Sequence, residues 1–230
     1  MKIQSEREKE LIKMISAVGF PLWGFCSVKG LLPGNLSDLN YGISVSLPIS
    51  NKIMQEVEIN QSPTHTYFHR YRTINTFIDQ RLLELTLLIE DWGYETYAVP
   101  ASQSVNKNDQ KYRGIFQHRT VATRSGIGWI GKNGSIVTKK YGPRIRLGSV
   151  LTNMPLVENK PIREGLCGKC RICVNLCPAS ALSGENWDER QSSRIYDPKA
   201  CSDHMKNHYK GIGRGSVCGI CIASCPVGKP

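Results

Sequence analysis

Residues 167–178 read CGKCRICVNLCP, which sets Cys167, Cys170, Cys173 and Cys177 at C-x2-C-x2-C-x3-C-P spacing. Chains that hold two four-iron four-sulfur clusters use this run, and its fourth cysteine ligates the other cluster. A second set follows in Cys201, Cys218, Cys221 and Cys225-Pro226, with its first thiol supplied from a distance. Crossing the two sets assigns Cys167, Cys170, Cys173 and Cys225 to one [4Fe-4S] cluster. Cys201, Cys218, Cys221 and Cys177 go to the other. Structural zinc also uses C-x2-C pairs, but zinc does not account for two C-x3-C-P endings. A radical enzyme that cleaves S-adenosylmethionine needs a C-x3-C-x2-C run, and neither motif has that order.

Working outward, the segment from Leu166 onward has little patterned apolar core, so its order depends on metal. The 230 residues therefore divide into an α/β cofactor-binding domain over 1–160 and a ferredoxin-like double-cluster domain over 161–230. Eight of the nine cysteines follow residue 166, and no signal-peptide core precedes them, which favours metal over disulfides and a reducing, anaerobic, cytoplasmic setting. No apolar run reaches the ~18 residues of a membrane span, so no membrane partner is expected. The formal charge of +11 favours an anionic partner, although no nucleic-acid motif accompanies it.

The first domain reads as mixed sheet and helices. Leu11, Ile15 and Val18 mark a helix ending at Gly19, and alternation from Tyr41 to Ile49 marks a strand with Pro48 at its exit. An apolar stripe from Ile74 to Trp92 marks a helix over 73–92, stopped by Gly93, with a strand over 94–99 after it. SIVT and RLGSVLT flank KKYGPRIR, whose Gly142 and Pro143 suit an antiparallel hairpin over 136–151.

Several smaller features have two readings. GIGWIG (Gly126, Gly128, Gly131) matches a dinucleotide fingerprint as a string, but a helix-like segment precedes it, a strand-like one follows, and no acid stands at 151. A nicotinamide site is rejected; the loop, with Trp129, Lys132 and Asn133, remains suited to close approach by a large cofactor. His65 and His69 flank Tyr67 and Phe68 in PTHTYFHRY and read as a solvated, aromatic-rich surface turn, while His204 and His208, also four apart, read as exposed groups or neighbours of the cysteines and not as ligands. Cys26, among apolar neighbours, reads as a small packed hydrophobe. Lys139, Lys140, Arg144 and Arg146 form either a solvated hairpin or a phosphate-binding rim. Tyr112 to Arg119 (YRGIFQHR) gathers the best set of proton donors in the domain.

HRTVATRSGIGWIGKN, CGKCRICVNLCPASAL, the solitary Cys201 and CGICIASCPVGKP together resemble the epoxyqueuosine reductase family, which is related to the reductive dehalogenases. The resemblance covers about 110–230 and is looser upstream. It implies a nitroreductase-like cobalamin-binding domain followed by a ferredoxin-like module whose clusters feed electrons to cobalt. It implies cofactor contacts at Arg119, Gly126, Ile127, Gly128, Trp129, Lys132 and Asn133. The family's acidic proton donor falls here on Tyr112, with Asp109 the nearest carboxylate, which makes Tyr112 the candidate catalytic acid. The family's C-terminal helical repeats, which help hold tRNA, are not expected after Pro230, so a substrate other than tRNA is considered. The expected function is thus a cobalamin-dependent iron-sulfur reductase, with a low-potential donor such as ferredoxin or flavodoxin as partner. The alternative is a non-catalytic carrier or reactivator serving a partner's corrinoid or flavin. FMN in place of cobalamin is a further option, because nitroreductase-like folds commonly hold it.

Overall fold

The computed structural model describes residues 5–102, 112, 114–191, 194–213 and 217–229. In chain order the main elements are α1 (Glu6–Ala17), β1 (Leu22–Ser27), β2 (Tyr41–Pro48), α2 (Asn51–Asn60), α3 (His65–Asp91), β3 (Thr96–Val99) and α4 (His118–Arg124). They are followed by β4 (Trp129–Ile130), β5 (Ile136–Val137), β6 (Ile145–Thr152), α5 (Ile172–Asn175), α6 (Pro198–Tyr209) and α7 (Ile220–Ala223). The chain separates into two compact units. The first comprises 1–47, 74–127 and 146–162, and the second 48–73, 128–145 and 163–230. The cysteine-rich segment is thus grouped with two earlier stretches, one holding α2 and the start of α3, the other the β4–β5 hairpin.

In the first unit the sheet order is β1-β2-β6-β3, with antiparallel pairing of β1 to β2 and of β3 to β6. Side chains alternate across a strand, so β2 presents two different faces. Ile43 and Val45 are fully buried on one face. There Gly148 of β6 lets α3 approach closely, since a Cβ on it would stand 2.4 Å from Ile78 Cγ2 and 2.9 Å from Leu82 Cδ1. Gly42 lies on the other face, where a Cβ would stand 2.8 Å from Val121 Cγ1 of α4. The sheet is therefore covered on both sides, and Cys26, Val28, Leu39, Val99, Val121 and Leu151 form one core cluster against α4.

α1 begins at Ser5, whose hydroxyl accepts from Glu8 N–H at 3.1 Å and so satisfies one unpaired donor of the first turn. α3 ends at Gly93 in the left-handed region (φ 84°), with Gly93 N–H bonded to Glu90 O and Tyr94 N–H to Ile89 O. The segment after β6 returns along the edge strand β1. Asn159 Oδ1 accepts from Phe25 N–H at 2.7 Å, and Asn159 N–H donates to Phe25 O at 2.9 Å.

Two sequence expectations require correction. The 73–92 helix starts eight residues earlier, at His65, because Thr64 Oγ1 accepts from Tyr67 N–H and Tyr67 is buried, so the aromatic stretch is a helical start and not a surface turn. The expected hairpin over 136–151 does not form: Ile136–Val137 pair with Trp129–Ile130, and β6 belongs to the larger sheet. Gly142 does turn the chain, but through a tight Thr138–Gly142 bridge whose two residues exchange backbone hydrogen bonds at 2.9 Å.

In the second unit α7 packs against both α2 and α5. α6 is capped by Asp197, whose Oδ1 accepts from Lys199 N–H and Ala200 N–H, with Pro198 in the first turn where its missing N–H costs nothing. Among the described residues no helix is long and apolar enough to cross a membrane.

Candidate iron-sulfur centre

The eight cysteines of the two motifs all lie in the second unit, on α5, α6, α7 and the loops beside them. Their mutual electrostatics divide them into two groups. Burial first, and then the neighbouring Cys225, Cys167 and Cys170, push the Cys173 thiol up to about 11. Cys225 is raised by burial and also feels Cys167 and Cys170. Cys218 is raised to about 11, mainly by burial, with Cys201 and Cys177 adding to it. Cys201 is raised by burial and by Cys177. Cys221 is raised furthest, by burial and then by Cys218, Cys173, Cys201 and Cys177, and so stands between the groups.

Each group contains one cysteine from the other's motif, Cys225 in the first and Cys177 in the second. Among the described residues no three His, Cys, Asp or Glu side chains converge closely enough to hold a single metal ion. Crowded, half-buried thiols resist ionisation, and bound iron offsets that cost because it takes them as thiolates. Two all-cysteine quartets are the donor sets that [4Fe-4S] clusters use, so the residues present fit them.

The β4–β5 hairpin and the turn after it hold the cysteine loops in place. Lys132 is 5% exposed and its Nζ donates to Gly168 O at 2.8 Å. Asn133 donates from Nδ2 to Cys221 O at 3.3 Å, while its Oδ1 accepts from Ser135 N–H. Arg144 is 2% exposed and donates from Nη1 to Cys225 O at 2.9 Å and from Nη2 to Val227 O at 2.5 Å. Close backbone packing completes the arrangement. A Cβ on Gly142 would stand 2.0 Å from Val227 O, and one on Gly131 would stand 2.6 Å from Val137 Cγ2.

The other candidates are distributed as follows. The resemblance puts Lys132 and Asn133 on a cofactor, but Lys132 Nζ and Asn133 Nδ2 are bonded to cluster-loop carbonyls. Arg119, Gly126 and Ile127 belong to the first unit, and Gly128 and Trp129 to the second. Gly126 (φ 73°) is closed against Lys160 O, 2.6 Å from where its Cβ would be, and Gly128 against Val137 O at 2.4 Å, so these glycines serve backbone packing. Trp129 is buried, and its indole N–H has no partner among the described residues. Tyr112 is 38% exposed with φ at 69°, and Asp109 lies outside the described residues. His118 is not an available acid. It is bonded to Ser149 Oγ and Pro100 O, and burial lowers its pKa.

The basic patch is not a single rim. Lys139 and Lys140 are exposed, Arg144 is buried, and Arg146 bonds Asn75 Oδ1 at 2.8 Å and Ser102 Oγ at 2.6 Å. Cys26 is buried, donates to Val121 O and is pushed up to about 12 by burial, as a packed, inert thiol should be. His204 and His208 stack at 4.3 Å on α6, and Tyr209 meets His204 edge-on. Sequence reasoning missed the roles of Lys132, Asn133 and Arg144, because their acceptors are backbone carbonyls far along the chain.

Residues 166–228 match the family described as the 4Fe-4S double cluster binding domain. An epoxyqueuosine reductase of Bacillus cereus is 32% identical over 142 residues, which is 59% of this chain and 36% of that protein. The tetrachloroethene reductive dehalogenase of Sulfurospirillum multivorans is 32% identical over 153 residues, 63% of this chain and 28% of the relative. The aligned stretches thus span about a third of these curated relatives. In three dimensions a solved reductive dehalogenase superposes with a TM-score of 0.71 at 15% identity, covering 100% of this chain and 33% of its own. The chain is a relative of the epoxyqueuosine reductases and reductive dehalogenases, and it carries their kind of α/β fold together with a double [4Fe-4S] cluster domain.

Proposed function

We propose that the chain acts as an iron-sulfur reductase in which two [4Fe-4S] clusters pass electrons, one at a time, to an acceptor that reduces a substrate. One cluster is held by Cys167, Cys170, Cys173 and Cys225, the other by Cys201, Cys218, Cys221 and Cys177. The observation that carries this reading is the pair of four-cysteine motifs, gathered in one compact unit and matched over residues 166–228 by the 4Fe-4S double cluster binding domain. With four thiolates per cluster no iron is left open, which suits electron transfer better than substrate binding. The surplus of positive charge suits an acidic, low-potential donor such as a ferredoxin or flavodoxin.

Cobalamin is the acceptor proposed. Dehalogenation by the superposed dehalogenase is B12-dependent, and the chain shares its fold. When bound, a corrinoid supplies a low-valent cobalt centre able to reduce a substrate. Of this chain's residues, Trp129 is proposed to border it, whereas Gly126 and Gly128 are packed against backbone. The indole N–H of Trp129, buried and without a partner among the described residues, is a donor that a polar cofactor would satisfy. Lys132 and Asn133 do not fit that role. Tyr112, exposed to solvent, is proposed to hold the proton delivered to substrate. A phenol in place of a carboxylic acid suits a strongly basic product such as a carbanion or alkoxide, and therefore a substrate other than a tRNA epoxide.

The engagement of Lys132 and Asn133 by the cluster loops favours a second reading, a carrier that delivers electrons to a partner's corrinoid or flavin. Anoxic titration of the reconstituted protein with hydroxocobalamin separates the two. Stoichiometric binding, with a cobalt spectrum that changes on chemical reduction, is expected for the reductase. Intact clusters without corrinoid binding would instead favour the carrier or a flavin enzyme. A flavin, if it is the true cofactor, would show itself by fluorescence.

A further inference from the structure

Arg144 is held in an unusual place for a guanidinium. It follows the tight Thr138–Gly142 turn, is 2% exposed, and spends Nη1 and Nη2 on the carbonyl oxygens of Cys225 and Val227. Its Nε is buried and has no hydrogen-bond partner among the described residues. The charges that act on it are those of Cys225 and of Glu58 on α2. Glu58 is shared with Lys229, whose Nζ lies 2.5 Å from Glu58 Oε1. A guanidinium stays charged in proteins, and a buried N–H without an acceptor is costly unless something at the site accepts it.

We propose that Arg144, with its fixed positive charge beside Cys225 and its unpartnered Nε–H, sets the reduction potential of the cluster held by Cys225. Uptake of one electron makes the cluster one unit more negative, with no bond made or broken and no proton taken up. The electron comes from a one-electron donor of low potential, and the nearby cation stabilises the reduced form. Hydrogen bonds to sulfur and local charge are among the main determinants of such potentials. The proposal rests on the two-cluster reading above.

The test is an anoxic redox titration with dithionite, followed by electron paramagnetic resonance, on the wild-type protein and on Arg144→Gln and Arg144→Lys. Iron and sulfide content is measured alongside, so that loss of the cluster reading is distinguished from loss of this one. With both clusters present, Arg144→Gln is expected to lower one midpoint and leave the other unchanged. The ratio of reduced to oxidised cluster at fixed potential should fall about tenfold, equivalent to about 59 mV for one electron. Arg144→Lys should restore most of the difference. Unchanged midpoints in Arg144→Gln, or equal shifts in both variants, would overturn the proposal. Should Arg144→Gln lose a cluster, pulsed resonance on wild-type protein carrying guanidinium-15N arginine decides. A resolved nitrogen coupling to one reduced cluster is expected, and its absence would overturn the assignment.

Discussion

Lys132 donates from Nζ to the carbonyl oxygen of Gly168 at 2.8 Å, tying the loop after the hairpin strand β4 to the first cysteine loop. The ammonium is almost fully buried, and among the described residues Gly168 O has one other donor, Asn186 Nδ2 at 3.4 Å. Lys132→Met should therefore weaken the cluster loop and not a distant site. A charge-assisted hydrogen bond contributes about 1.5–3 kcal/mol. Anoxic guanidinium denaturation followed by cluster absorbance should show a loss of that order, and an unchanged midpoint would mean that Lys132 does not brace the loop.

Tyr112→Phe is expected to cut turnover of the reductase while leaving iron content and cluster spectra unchanged. The side chain is exposed, so removal of its hydroxyl should have little effect on folding. Substrate reduction at the wild-type rate by the variant would take Tyr112 out of the mechanism.

His118 gives the first unit a pH dependence of known sign. Burial lowers its folded pKa, so the unfolded chain binds the proton more readily. The stabilisation is present above the unfolded value of about 6.5 and is lost as pH falls through it. Urea midpoints measured from about pH 7.5 down to about pH 5.5 should fall more steeply in wild type than in His118→Gln. Parallel curves would show that another group governs the acid limb.

Cys26 and the other eight cysteines should separate under alkylation. Burial pushes the Cys26 thiol up to about 12, so at about pH 8 it should stay unmodified in the folded protein and react only after denaturation. Cys170, the exposed member of the first motif, should become reactive as soon as a chelator strips the iron. Mass spectrometry after iodoacetamide treatment reads both outcomes, and early labelling of Cys26 would contradict its packed position.

The sequence carried the cluster motifs almost completely, because ligand spacing within one loop is a local property. The crossing of Cys177 and Cys225 is a proposal that rests on the same spacing. α1, β2, β3 and the body of α3 were legible from apolar periodicity and glycine stops. The partner of Ile136–Val137 was not, since two short β patterns around a Gly-Pro turn read as a hairpin whether they pair with each other or with strands elsewhere. Packing decided otherwise: Gly148 in β6 is needed against Ile78 and Leu82 of α3. The same limit hid Arg144, which looks like one charge among four in KKYGPRIR until the chain end brings Cys225 and Val227 to it.

What the eight cysteines hold decides between electron transfer and a purely structural metal role, and anoxic reconstitution with iron and sulfide tests it directly. Elemental analysis should give iron and acid-labile sulfide for two four-iron clusters per chain, and reduction should yield two interacting paramagnetic signals. Replacing Cys225 or Cys177 should each abolish one cluster. One zinc ion per quartet, or a single cluster that survives both replacements, would contradict the electron-transfer reading.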